Sequence, residues 1–373
     1  MTMTIGLKIN MKAPNTAQRD KKHTVGTKEL YKTTEEEKTV KQREAFFDNA
    51  RFFLILLVVF GHLISPLKGD SDLLNGIYTF IYLFHMPAFI LISGYFSKGY
   101  DQPGYIQKVF RKTLIPYFIF QIIYCFFYYL TGYEDNLTLK LFDPHWTLWF
   151  LLSLFFWNLM LKVFAKRRYA LPLAFLLGIA VGYLPLDASY LSVERTFTFF
   201  PIFLLGTLMD KRHFEKLSRK SFRIPAVCFL FLTLIACFYA FPDEASDWLL
   251  GSKTYADMGV SDWSAGFYRA LTYAVSIATT LGFLAVVPKG RHNFTVYGAR
   301  TLYIYLLHGF IIKLIGLSKV YNQMDALYQY STLFIGALLL CRILGSGVVK
   351  EVAKPMIELK APKFLHKISL NHH

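Results

Sequence analysis

The sequence predicts an all-α, polytopic membrane protein: a bundle of about ten transmembrane helices with both the N- and C-termini in the cytoplasm. Of the 373 residues, 54% are hydrophobic and only 18% are charged, and the mean hydropathy is +0.35. Apolar blocks about as long as a bilayer is thick recur from residue 49 to residue 349. One soluble core could not bury this much apolar surface, so a soluble globular enzyme is excluded.

Short loops that contain charged residues, proline or glycine separate the apolar blocks. Most of the 41 lysines and arginines fall in alternate loops, on the side of the two termini. The positive-inside rule therefore predicts that this side faces the cytoplasm. The predicted spans are residues 49–66, 77–96, 113–132, 147–164, 170–186, 196–209, 224–241, 267–287, 301–316 and 328–349.

Three parts are predicted along the chain. Residues 1–45 form a hydrophilic cytoplasmic tail, partly disordered, without the apolar core of a cleaved secretory signal. Residues 46–349 form the membrane domain, and residues 350–373 form a basic cytoplasmic tail. The net charge of +16 comes largely from basic residues between spans, where they set topology and contact lipid headgroups. Membrane lipids are therefore expected partners, and nucleic acid is not.

Ionisable side chains inside the predicted spans are few, and three of the ten histidines are among them. Such groups are costly in hydrocarbon, which makes them candidates for function. His62 follows Arg51 by about three helical turns, so both share one face of the first span, with His62 about 16 Å deeper. His85 and His308 each lie about 12 Å from one end of their spans. Three histidines at one depth favour a shared polar cavity, the alternative being separate hydrogen bonds to neighbouring helices.

The three histidines suggest group-transfer chemistry. A neutral imidazole can accept a proton from a hydroxyl group or carry an acyl group, and both alternatives stay open. The sequence has no GxSxG, HExxH or glycine-rich phosphate motif, and its four cysteines include no CxxC pair, so no metal is expected. No carboxylate falls in the middle of a predicted span, which argues against a proton-coupled transporter.

The sequence resembles the acyltransferase 3 family of integral membrane acyltransferases, in the branch that contains fucose 4-O-acetylase-like proteins. The first span has the arginine, ten residues and histidine of the family signature, from Arg51 to His62. The other similar stretches are Phe84-His85-Met86-Pro87, Ser93-Gly94-Tyr95, Trp149-Phe150-Leu151, Phe200-Pro201-Ile202-Phe203 with Gly206, and Tyr303-Ile304-Tyr305-Leu306-Leu307-His308.

The resemblance implies a ten-helix bundle in the bacterial plasma membrane. It also implies transfer of an acyl group, usually acetyl from cytosolic acetyl-CoA, to a hydroxyl group of a cell-envelope carbohydrate. His62 matches the family's essential histidine, and Arg51 matches the arginine before it. His85 and His308 are then expected to position either the base or the acceptor.

Basic side chains at the cytoplasmic rim are candidates for binding the donor. The phosphates of CoA cannot enter hydrocarbon and need cationic partners at the surface, although positive-inside topology alone also explains such residues. The candidates are Lys108, Arg111, Lys112 and Arg300. Lys108 departs from the Arg-x-x-Arg motif of many family members, and lysine lacks the bidentate fork of arginine.

Aromatic residues at the outer mouth of span four are candidates for binding the acceptor. Trp146, Trp149 and His145 lie where a sugar could stack, while an interfacial aromatic belt also predicts tryptophans there. Two other functions stay open: export of a polysaccharide or lipid-linked sugar, and acylation of a small metabolite at the cytoplasmic side. The outer loop, residues 242–266, contains two tryptophans and a tyrosine, which favours an external acceptor.

Overall fold

The computed structural model describes residues 45–185, 190–242, 245–260, 262–324 and 327–360. The rest of the two predicted tails lies outside these ranges. Within them the chain forms helices joined by loops and contains no strand. The α-helices are α1 (Ala45–Leu67, with a 3-10 turn at its end), α2 (Asp72–Tyr95), α3 (Tyr105–Leu130), α4 (Trp149–Phe164), α5 (Ala170–Ala180), α6 (Val193–Leu208), α7 (Lys211–Leu217), α8 (Lys220–Tyr239), α9 (Ala245–Leu250), α10 (Ser264–Val286), α11 (Thr295–Gly298), α12 (Thr301–Leu317), α13 (Leu327–Leu344) and α14 (Gly347–Glu358).

Six of these helices, α1, α2, α3, α6 with the turn before it, α8 and α10, are long and apolar enough to cross a membrane. Helices α13 and α14 pass the same test as a pair, with a bend of 67° between them, and α4, α5 and α12 are apolar but shorter. Each predicted span coincides with one of these helices. The all-α, multi-pass architecture is therefore confirmed, while the number of ten crossings and the side of the termini stay predictions.

Side-chain caps fix the start of two helices. The Ser71 hydroxyl accepts a hydrogen bond from the Leu74 backbone N–H (3.4 Å), and Asp72 in the first turn complements the helix dipole of α2. The Ser346 hydroxyl accepts from the Val349 N–H (3.3 Å) and starts α14 directly after the bend. The second cap pairs one of the first N–H groups of α14, where the helix begins in a new direction.

Helix α2 lies at the centre of the bundle, where it packs against α6, α8 and α10. The backbones of α2 and α6 are in direct contact. A Cβ atom added at Gly94 would overlap the Phe203 carbonyl oxygen, and one added at Gly206 would overlap the Leu91 carbonyl oxygen. Small residues permit such close packing between membrane helices. This contact fixes the spacing of two walls of the cavity described below.

Residues 131–148, which join α3 to α4, fold back along α3 instead of standing beyond its end. Gln121, about 14 Å before the end of α3, holds them. Its side-chain amide donates to the carbonyl oxygens of Lys140 (2.6 Å) and Asp143 (2.7 Å), and its amide oxygen accepts from the His145 backbone N–H (2.9 Å). The segment therefore enters the bundle and brings Trp146 beside His62 of α1.

Candidate active site

A cavity of about 510 Å³ lies between α1, α2, α4, α6 and α12. Arg51 lines one end and Ser65 lines the other, and the two residues are about 21 Å apart along α1. We refer to these as the Arg51 end and the Ser65 end. The polar lining residues are Arg51, His62, Ser65, Tyr78, Tyr82, His85, Ser93, Trp146, Thr147, Trp149, Arg195, Thr301 and Tyr305.

Arg51 is held at its end of the cavity by two contacts. Its guanidinium Nη1 lies 3.1 Å from the Asp48 carboxylate, one turn earlier on α1, and the group stacks over the Phe96 ring at 4.7 Å. The side chain keeps 29% of its surface exposed. Arg51 is therefore oriented while part of its charge stays available to a ligand.

Asn49 fixes this part of α1 against the segment before α12. The buried Asn49 amide donates to the carbonyl oxygens of Pro288 (2.9 Å) and Gly290 (2.7 Å), and its side-chain oxygen accepts from the Thr295 hydroxyl (2.6 Å). The backbones of α1 and α11 also touch closely, because a Cβ atom at Gly298 would overlap the Asp48 carbonyl. These bonds set the orientation of the helix face that carries Arg51 and His62.

His62 lines the cavity about 16 Å from Arg51 and one helical turn before Ser65, and aromatic rings surround it. The centroid of the Trp146 ring lies 4.5 Å from that of His62, and the centroid of the His308 ring lies 5.6 Å away. The Tyr82 hydroxyl is 3.5 Å from His62 Nδ1, at the outer limit of a hydrogen bond. The imidazole is thus confined on several sides and open toward the cavity.

His308 and His85 are each oriented by their own helix backbone. His308 Nδ1 lies 2.7 Å from the Tyr305 carbonyl oxygen and 3.1 Å from that of Ile304, and His85 Nδ1 lies 2.9 Å from the Ile81 carbonyl oxygen. A carbonyl can only accept, so Nδ1 carries the proton in both rings and Nε2 carries the lone pair. His85 lines the cavity, whereas His308 is fully buried behind His62.

The two candidate tryptophans both line the cavity. Trp146 has a positive φ of 45°, which is rare for a residue with a large side chain, and the Lys313 ammonium lies 5.0 Å over its ring. Trp149 starts α4, and the Arg195 guanidinium stacks on its ring at 5.0 Å. Both indoles therefore line the cavity, and Trp146 lies between the Lys313 ammonium and the His62 ring.

The other candidates lie outside the cavity. Lys108, Arg111 and Lys112 are exposed on α3. Arg300 donates to the Gly345 carbonyl oxygen (2.8 Å), although its neighbours Ala299 and Thr301 line the cavity. His145 is buried against α3, with Nε2 3.4 Å from the sulfur of Cys125. Within the described ranges, no group of three His, Cys, Asp or Glu side chains could hold a metal ion.

Sequence reasoning missed Arg195 and the tyrosines that line the cavity. The predicted span begins at residue 196 and so leaves Arg195 in a loop, but α6 begins at Val193 and places Arg195 in the lining of the cavity. Tyr78 and Tyr82 stack face to face on α2 with ring centroids 3.9 Å apart. Their spacing of one helical turn on the same span as His85 is the signal that could have identified them.

The fold and the cavity define a multi-pass helical membrane protein with a cavity that polar side chains line. The family profile described as an acyltransferase domain matches residues 44–345, and the chain belongs to this acyltransferase 3 family. The predicted membership of the acyltransferase 3 family is thereby confirmed, while the fucose 4-O-acetylase-like branch stays a prediction.

Two curated relatives extend this result. The chain is 26% identical over 217 residues to nodulation protein NolL of Sinorhizobium fredii, a match that covers 50% of this chain and 57% of the relative. It is 28% identical over 179 residues to nodulation protein NolL of Mesorhizobium japonicum, with 44% and 48% covered. The chain therefore aligns with about half the length of these relatives. No solved structure matches the chain.

Proposed function

We propose that this protein is a membrane O-acyltransferase that moves an acetyl group from acetyl-CoA to a hydroxyl group of a cell-envelope carbohydrate. The observation that carries the proposal is that Arg51 lines one end of a cavity in which His62 lies about 16 Å further along α1, one helical turn before Ser65. Two reactants that cannot dissolve in hydrocarbon can meet at His62 from opposite ends of such a cavity. Membership of the acyltransferase 3 family supports acyl transfer as the reaction.

The donor enters in this proposal from the Arg51 end. The thin pantetheine arm of CoA reaches inward past Arg51, while the phosphates stay outside on exposed cations such as Arg111 and Lys112. Arg51 is then placed to hold the phosphate or carbonyl groups nearest the cavity, because its pairing with Asp48 fixes its direction. The predicted cytoplasmic side of this end agrees with a cytosolic donor.

His62 activates the acceptor in this proposal. The acceptor hydroxyl transfers its proton to the imidazole as its oxygen forms a bond with the thioester carbonyl carbon. The carbon–sulfur bond then breaks, and the CoA sulfur leaves with the proton that the imidazole returns. The products are an acetyl ester and free CoA thiol, so atoms and charges balance without another reactant.

The acceptor occupies the Ser65 half of the cavity in this proposal. Tyr78 and Tyr82 of α2, together with Trp149 of α4, line the cavity with flat apolar faces and polar edges. Sugar rings have apolar C–H faces that stack on such side chains, and the phenol hydroxyls can hydrogen-bond the sugar oxygens. Trp146 completes the wall on the His62 side.

The test is acetyl transfer by the purified full-length chain in lipid nanodiscs. Radiolabelled acetyl-CoA is supplied with cell-envelope glycans extracted from the native cells, and alkali-labile label and free thiol are measured together. His62→Gln is expected to lower the rate about 10²–10⁴-fold, the usual contribution of a general base, at normal protein levels. A matched control is His292→Gln, because the His292 ring is exposed and stacks on Phe294 outside the cavity.

Two results would overturn the proposal. One is undiminished acetyl transfer by His62→Gln, which would remove the base. The other is glycan binding or translocation by the intact chain without any release of CoA thiol, which would identify a carrier.

A further inference from the structure

Two guanidinium groups line the cavity, and they differ in how their charge is compensated. Arg51 pairs with Asp48 at 3.1 Å. Arg195 instead contacts neutral groups: its Nε lies 3.4 Å from the Leu250 carbonyl oxygen, and its guanidinium stacks on the Trp149 ring. The carboxylate of the preceding residue, Glu194, acts on this charge only from beyond ion-pair distance. Among the described residues, no carboxylate oxygen lies within 4.0 Å of an Arg195 nitrogen, and none belongs to the cavity lining.

An arginine in this setting favours an anionic ligand. A cation without an ion pair is costly inside a membrane protein, where little bulk water screens it. Stacking on Trp149 occupies the face of the guanidinium and leaves its edge for hydrogen bonds. That edge matches the two oxygens of a carboxylate or a phosphate, which arginine binds in a bidentate manner.

The position of Arg195 assigns this ligand to the acceptor and not to the donor. Arg195 reaches Leu250, which lines the cavity together with Leu249, Ser65 and Tyr78 at the end away from Arg51. A second cation lies at the same end, since the Lys68 ammonium is 4.5 Å over the Tyr78 ring. CoA phosphates that enter from the Arg51 end would have to cross the whole cavity to meet these groups.

We propose that the acceptor carries an anionic group, a carboxylate or a phosphate, and that Arg195 binds this group while an acceptor hydroxyl reaches His62. The inference rests on the proposed function and deepens it. Arg195 then determines specificity. A glycan without the anionic group cannot form the ion pair that compensates Arg195 for the water it has lost.

The first arm of the test determines the charge of the product. Membranes of the native cells receive radiolabelled acetyl-CoA, and the alkali-labile product that depends on this protein is applied to an anion-exchange column. Retention on the column is expected. Phosphatase or mild acid treatment abolishes retention if the group is a phosphate, and carbodiimide amidation abolishes it if the group is a carboxylate.

The second arm measures the dependence of the rate on the concentration of that acceptor, for the wild type and for variants in nanodiscs. Arg195→Gln is expected to raise the acceptor KM by about tenfold or more with a smaller effect on kcat, because it removes a charge-assisted contact. Arg195→Lys keeps the charge and should recover part of the affinity. The matched control is Lys253→Gln, which removes a cation that pairs with Asp247 at 2.9 Å but does not line the cavity.

A neutral product would overturn the inference and leave acyl transfer intact. An anionic product whose KM is the same for Arg195→Gln and the wild type would overturn it too. A fall in kcat at constant acceptor KM would assign Arg195 to the reacting atoms instead and would equally contradict the inference. The absence of any labelled product would refute the proposed function itself.

Discussion

The His62 ring stacks against the His308 ring, with centroids 5.6 Å apart and planes inclined at 28°. His308 is fully buried and oriented by two carbonyl oxygens of its own helix, whereas His62 faces the cavity. The buried ring therefore packs against the ring that faces the cavity. In the proposed mechanism His62 is the reacting group, and we expect His308 to act as a positioning group.

We expect His308→Asn to lower kcat roughly 10–100-fold, because His62 loses the flat surface that limits its rotation and small misplacements of a base are costly. The KM values for donor and acceptor should stay close to those of the wild type, since His308 does not line the cavity. Steady-state thiol release measures both parameters. An unchanged kcat in a variant with a normal thermal unfolding midpoint would contradict the positioning role.

Gln121→Leu is expected to destabilise the segment that carries Trp146. The substitution removes three hydrogen bonds and leaves the carbonyl oxygens of Lys140 and Asp143 without that donor. The loss should amount to about 2–4 kcal/mol of unfolding free energy. Thermal unfolding in detergent measures it, and Gln107→Leu, at an exposed position of the same helix, is the matched control. Equal midpoints for the two variants would contradict the anchoring role of Gln121.

The order and character of the helices could be predicted from sequence because the bilayer sets the length of each apolar block. The depth of His62 relative to Arg51 also follows from helix geometry alone. The fold-back of residues 131–148 could not be predicted, because it depends on one buried amide, Gln121, that bonds backbone atoms far along the chain. The contact between the Trp146 and His62 rings, with centroids 4.5 Å apart, therefore could not be predicted either.

Arg195 is a second residue whose place in the cavity could not be predicted from the sequence, because it lies near the end of a helix. An error of a few residues at the start of a span decides whether an arginine is counted in a loop or inside the bundle. The sequence has no local feature that distinguishes the two positions, because the stacking partner Trp149 and the carbonyl partner Leu250 come from distant segments. Spans can thus be predicted locally, whereas the lining of the cavity depends on packing between helices.

The close contact between α2 and α6 predicts that Gly206→Ala is harmful. The added methyl group would overlap the Leu91 carbonyl, and backbone atoms on both helices would have to move apart. Overpacking of this kind typically destabilises by about 1–3 kcal/mol, and here it should also widen the cavity and lower acetyl transfer. Gly336→Ala on α13 is the control, since no atom lies within 4 Å of its added Cβ. Similar midpoints and rates for both variants would contradict direct contact between the two backbones.

His145 predicts a loss of stability in mild acid. Burial lowers the pKa of His145, and the charged groups that act on it are Glu134, Lys140, Asp143 and Lys313. Because the unfolded chain binds a proton on this ring near pH 6.5 and the folded chain only at lower pH, the unfolded state holds more protons between these two values. The contribution of His145 to the free energy of unfolding should therefore be constant above pH 6.5. It should decrease as the pH falls from 6.5 toward the lower pKa of the folded state.

His145→Gln is the test of this pH dependence. The variant removes the titrating ring, so its thermal unfolding midpoint should fall less between pH 7 and pH 5 than that of the wild type. His292→Gln, which removes an exposed histidine outside the cavity, should keep the wild-type decrease. If His145→Gln lost as much stability as the wild type between pH 7 and pH 5, another group would have to cause the acid sensitivity. The burial of a neutral imidazole against Cys125 would then have no effect on stability.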